Sequence, residues 1–140
     1  MHIAKLYDAC QRSWDADTSY NTDYGNTVRS TVGERAYGQC AVTSLVVHDR
    51  LGGEFFQALV RWEGSSILHY WIELADVGAV DFTWAQFPAY AGRSNIERIG
   101  RDRLLPGDND WMQDRYKLLS MRVGRLFPAA VDTPAESAVA

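Results

Sequence analysis

Residues Gly38–Gly53, GQCAVTSLVVHDRLGG, decide the fold. An apolar run without alternation follows one glycine and is stopped by two more, Gly52 and Gly53. Val42, Thr43, Val46 and Val47 are β-branched and would suit a strand on propensity alone. The length of the run and its glycine stop outweigh that preference, because helices commonly close on a residue in a left-handed conformation that glycine adopts without strain. The reading is a mostly buried helix over Cys40–Leu51.

On the N-terminal side, Ile3, Leu6, Tyr7, Cys10 and Trp14 recur at steps of three and four, which predicts an amphipathic helix with Cys10 on its buried face. Asp15–Gly33 is polar and turn-rich and reads as an ordered connecting loop. On the C-terminal side, EFFQALVRW, ILHYWIEL and AVDFTW read as three strands of an antiparallel meander, separated by EGSS and ADVG. Gln86–Arg103 is irregular and reads as a loop with room for one short helix. Asp108 or Asn109 can cap a last helix running to about Arg125, on which Tyr116, Leu119 and Val123 keep helical spacing. The expected fold is α+β, with a central helix carrying Cys40 packed on a small antiparallel sheet. Residues 1–127 form one domain in this reading, and 128–140, small and polar, form a disordered tail.

Length and charge bound the function classes. A chain of 140 residues buries enough surface in one core to need neither disulfides nor a structural metal. No apolar run reaches the roughly 18 to 20 residues of a membrane span, and the N-terminus lacks a signal peptide's layout. The expectation is a soluble, cytoplasmic protein without a membrane partner, whose two cysteines are thiols. The net charge of −4 speaks against nucleic acid, which requires a basic stripe. The nearest candidate, Arg93, Arg98, Arg101 and Arg103, is diluted by Glu97 and Asp102, and reads as a solvated surface or a small anion site. There is no HExxH, CxxC, phosphate-binding loop or dinucleotide fingerprint, so no metal or cofactor is expected.

The chemistry gathers around Cys40. A thiol at a helix start meets unpaired backbone N–H groups that favour thiolate, and the glycine at Gly38 lets a substrate approach. Its base must be one of three histidines. His48 lies about 12 Å further along the same helix, and His2 is at a terminus. His69, on the aromatic strand LHYW, remains. Asp81, on the next expected strand, is costly to bury alone, and pairing residue 69 with 81 would bring the two side chains onto one face, about 5 Å apart. Cys40, His69 and Asp81 are thus the candidate catalytic residues. Gln39 is a candidate oxyanion donor, although capping or packing the helix entry accounts for it as well. Trp71 is a candidate for lining the substrate cleft, and core packing is its other reading. A core thiol and a carbonyl-bonded core histidine are the structural readings of Cys40 and His69. Cys10 is structural.

The order of cysteine, histidine and aspartate on helix, strand and strand resembles the core of papain-like and transglutaminase-like thiol enzymes. GQCAVTSLVV, LGGEFFQALV, HYW and VDFTWAQF together resemble the YunG-like family of small bacterial proteins, from about Trp14 to Phe87 and again near Asp114–Val123. In that family HYW is usually followed by Asn; here Ile72 stands there. The resemblance implies a fold and a site rather than a particular reaction. The expected function is a thiol hydrolase or acyl transferase acting on an amide, isopeptide or thioester of a small molecule or peptide. The alternative is a non-catalytic binding or regulatory domain that keeps a papain-like fold.

Overall fold

The computed structural model describes residues 2–20 and 31–128; residues 21–30 of the expected loop, and all of the expected tail except Pro128, lie outside them. The helices are α1 (Ile3–Ser13), α2 (Val32–Ala36), α3 (Cys40–Leu51), α4 (Arg101–Leu104) and α5 (Asp110–Leu126). The strands are β1 (Glu54–Trp62), β2 (Ser65–Leu74), β3 (Gly78–Val80) and β4 (Gly92–Ile99), with a 3-10 turn at Trp84–Gln86. The fold is α+β: four antiparallel strands in the order β3-β2-β1-β4 and a set of helices.

α3 lies between β2 on one side and α5 on the other, and Cys40 through Val47 are all buried. Its β-branched residues stay helical because they are enclosed all round. Each fully buried aliphatic side chain contributes roughly 1.5 to 3 kcal/mol, several times the propensity penalty of a valine in a helix. Leu6, Cys10, Leu45, Ile72, Leu119 and Val123 belong to one core that joins α1, α3, α5 and the sheet. α5 begins where Asn109 accepts from the Met112 N–H, an N-cap of the expected kind.

Two expectations need correction. Within Gln86–Arg103, Gly92–Ile99 is not loop but β4, an edge strand against β1, while the short helix for which the stretch had room is α4, Arg101–Leu104. β4 has exposed residues on both faces, so it lacks the alternation by which strands are read. It also carries one extra residue opposite Ala58, where Asn95 takes φ +53°. AVDFTW forms a strand only up to Val80, after which the chain turns aside.

Candidate active site

Three elements supply the site. α3 begins at Cys40, preceded by Gly38 at φ +71°, a left-handed conformation that lets the chain turn sharply into the helix. β2 carries His69 and Trp71 on one face, two residues apart. Asp81 follows directly after β3. The expected pairing of 69 with 81 is not made: the three-residue turn at 75–77 sets the register at Ile72↔Val80, two residues away from it. Continued by one residue, that register would put Asp81 opposite Trp71. Its carboxylate instead reaches diagonally to His69, with Nε2 2.7 Å from Oδ2.

His69 is fully buried in an aromatic box. Trp71 stacks on it at 5.9 Å between centroids, and Phe87 meets it edge-on at 4.9 Å, with Trp84 at 5.7 Å. Burial pulls the imidazole toward its neutral form. The hydrogen bond to Asp81 and then the nearby Cys40 side chain outweigh burial, lifting the pKa from 6.5 to about 9. With Nε2 on the carboxylate, Nδ1 is buried and has no partner of good geometry.

Arg93, the first arginine of the segment read as diluted surface charge, was missed as part of the site. Its guanidinium lies between the rings of Trp71 and Trp84, 4.5 and 4.2 Å from their centroids, and donates to Asp81 Oδ2 at 2.5 Å. Asp81 thus holds two cations on one oxygen, while its Oδ1 is buried without a partner among the described residues. Arg93 reaches this place from β4, opposite Val60.

Gln39 and Trp71 have other duties beside the thiol. The Gln39 amide is fully buried and used at both ends: Nε2 donates to the Asp15 carbonyl and Oε1 accepts from the Thr18 hydroxyl, each at 2.9 Å. It ties the chain after α1 to the start of α3, as does Trp14 Nε1 donating to Thr43 Oγ1. Trp71 is 2% exposed, donates from Nε1 to Glu73 and walls the histidine's box. Cys10 is wholly buried, and burial pushes its thiol up to about 12.

Cys40 and His69 line one cleft of about 140 Å³, together with Gly38, Leu68 and Phe87. A wider hollow of about 350 Å³ lies between Trp14 and Arg122, but no cysteine or histidine lines it. Chemistry, not volume, selects the Cys40 cleft. Among the described residues, no three His, Cys, Asp or Glu side chains converge as a metal site would require. No helix among them is long and apolar enough to cross a membrane.

No curated protein and no solved structure matches the chain. A family model described as YunG protein matches residues 2–127, nearly the whole of the described chain, and the protein therefore belongs to the YunG protein family.

Proposed function

We propose that the protein is a thiol hydrolase or acyl transferase that uses Cys40, His69 and Asp81 on an amide, isopeptide or thioester, and that its helix-on-sheet core is of the papain-like and transglutaminase-like kind. The observation that carries the reading is the division of labour on His69. One ring nitrogen is fixed by Asp81, and the other makes no hydrogen bond among the described residues, on a ring that lines the same cleft as Cys40.

In this reading His69, protonated beside Asp81 at neutral pH, pairs with a Cys40 thiolate whose sulfur attacks the carbonyl carbon. The tetrahedral oxyanion then collapses, the bond to the amine or thiol leaving group breaks, and His69 gives its proton to that group. Water or an acceptor amine attacks the thioester on Cys40 and restores the thiolate. Asp81 holds the ring's orientation and stabilises the imidazolium. With the Gln39 amide engaged elsewhere, the oxyanion falls to backbone N–H groups of the first turn of α3, which have no acceptor within the helix. Arg93 is a positioning residue that holds Asp81 by the same carboxylate oxygen that the imidazole meets.

The rival reading, a non-catalytic binding domain, is favoured by the small cleft and by Cys40 being only 8% exposed. Mass spectrometry separates the two. Incubation with an activated thioester or ester should leave an acyl adduct on Cys40 that His69→Ala does not form. Equal labelling of both proteins, or none, favours the binding domain.

A further inference from the structure

β3 is short, and its brevity leaves an edge of the sheet open beside the thiol. It pairs only with Ile72, Glu73 and Leu74 of β2, so Ser65–Trp71 has no strand on that side among the described residues. The two-residue turn at Glu63 and Gly64, both at positive φ, joins Trp62 and Ser65 as partners. In such a hairpin the residues flanking the turn form a hydrogen-bonded pair, and hydrogen-bonding direction alternates along an antiparallel strand. Odd-numbered residues of β2 therefore bond to β1, and Ser66, Leu68 and Tyr70 turn their N–H and C=O groups to the open edge. Ser66 and Leu68 are exposed, with Leu68 at 48%.

This edge is one wall of the Cys40 cleft, which Ile67, Leu68, His69 and Tyr70 line on the β2 side and Gly38 and Cys40 on the other. At about 140 Å³ the cleft is smaller than the roughly 300 Å³ at which pockets begin to enclose a small molecule. Most of any substrate must lie outside it. Apart from His69, the described lining carries no ionisable group other than the thiol and two tyrosines. A row of peptide groups with no strand partner among the described residues, leading to a nucleophile, matches one kind of partner well, another extended backbone.

The geometry points to an uncharged, extended peptide segment as the substrate class, added as a strand along Ser66–Tyr70 in the place that β3 vacates when the chain turns aside at Asp81, with its reacting carbonyl beside Cys40. The inference rests on the thiol chemistry proposed above and adds what that chemistry acts on. Backbone pairing would supply affinity, and alternate side chains of the peptide would face the cleft.

The test uses the full chain and three probes that alkylate thiols: iodoacetamide, a tripeptidyl chloromethyl ketone with alanine and valine side chains, and the same peptide with its central amide nitrogens N-methylated. N-methylation removes donors while leaving the electrophile unchanged. The parent peptide should modify Cys40 at least about tenfold faster than the N-methylated one, as expected for one or two lost backbone hydrogen bonds. Leu68→Pro, which deletes one outward N–H at an edge where proline is tolerated, should lower the ratio of peptidyl to iodoacetamide rates. Equal rates for the two peptides, with Cys40 still reacting with iodoacetamide in a His69-dependent way, would overturn the peptide inference alone. If iodoacetamide modifies Cys40 no faster in wild type than in His69→Ala, the thiol chemistry fails and the peptide inference fails with it.

Discussion

His69 Nε2 stands 2.7 Å from Asp81 Oδ2, and the two residues meet across the end of a strand rather than along a pair of strands. The contact places a carboxylate that is 7% exposed against an imidazole that is wholly buried. Neither charge would be stable there alone. Arg93 on the same carboxylate oxygen brings the cluster of Asp81, His69 and Arg93 to a net positive charge when the ring is protonated. A thiolate at Cys40 would neutralise it.

The pH dependence of stability follows with a definite sign. The pKa of His69 rises from 6.5 to about 9 on folding, so the folded state holds a proton that the unfolded state releases between those values. The stabilisation is complete below about pH 6.5 and is lost as pH rises through 9. At 1.36 kcal/mol per unit it amounts to about 3 kcal/mol. Asp81→Asn removes the largest upward influence, so urea unfolding should show the variant about 3 kcal/mol less stable at pH 6, with the gap shrinking to less than half by pH 10. A gap independent of pH would show that the carboxylate does not hold the proton on His69.

Arg93 should act on His69 through Asp81. Arg93→Met keeps an apolar stem between Trp71 and Trp84 but removes the cation that shares the carboxylate. With one fewer positive charge nearby, the His69 titration followed by imidazole NMR should move to higher pH, and Arg93→Lys should move it back toward wild type. Loss of the stacked guanidinium should cost about 1 to 2 kcal/mol in either variant. A purely structural arginine would lower stability and leave the titration where it was.

The central helix and the two members of the dyad were legible because their signals are local. Glycines bound α3 on both sides, and an aspartate inside an apolar run requires a partner wherever its strand lies. The pairing detail was not legible, since a three-residue turn at 75–77 in place of 74–76 shifts every partner by two residues and the sequence does not fix where the turn is centred. Arg93 was invisible for a different reason. Its place depends on β4 crossing to the far side of β1, and the run GRSNIERI carries two isoleucines and no alternation to announce a strand. The Gln39 amide was read as open to either role because adjacency to Cys40 says nothing about where a side chain turns, and its partners Asp15 and Thr18 lie more than twenty residues away.

Gln39→Ala separates anchoring from catalysis. Removing the amide leaves the Thr18 hydroxyl and the Asp15 carbonyl without this partner and opens a cavity at the helix entry. The expected cost is about 3 kcal/mol, read as a lower midpoint in thermal or urea unfolding. Acylation of Cys40, measured well below that midpoint, should fall by no more than a few fold. A loss of a hundredfold or more with unchanged stability would assign the amide to the oxyanion instead.

The two glycines after α3 should not be equivalent. Both have positive φ, 76° at Gly52 and 91° at Gly53. A Cβ on Gly52 meets nothing within 4 Å, whereas one on Gly53 would lie 2.6 Å from the Glu73 carbonyl oxygen and 2.8 Å from Ile72 and Leu74 side-chain atoms. Gly52→Ala should therefore cost only the backbone strain of about 1 to 3 kcal/mol at its φ of 76° and ψ of −146°. Gly53→Ala must in addition move β2, the strand that carries His69, and should cost at least about 2 kcal/mol more. Equal losses of stability in the two variants would mean that the chain relaxes around Gly53 without disturbing β2.

The two thiols should differ in reactivity by a wide margin. Cys10 lies wholly within the core on α1 with its pKa pushed up to about 12, so the folded protein holds it protonated and out of reach. Cys40 lines a cleft that His69 also lines. Native protein at pH 7 should release one equivalent of chromophore rapidly from an aromatic disulfide reagent and the second only on unfolding. Cys40→Ser should abolish the rapid phase, and His69→Ala should slow it by about tenfold or more, since the reacting thiol would lose its base. Two rapid equivalents in the native protein would mean that α1 opens from the core under native conditions. A rapid phase that survives Cys40→Ser would assign the reactive thiol to Cys10 and remove the basis for a catalytic Cys40.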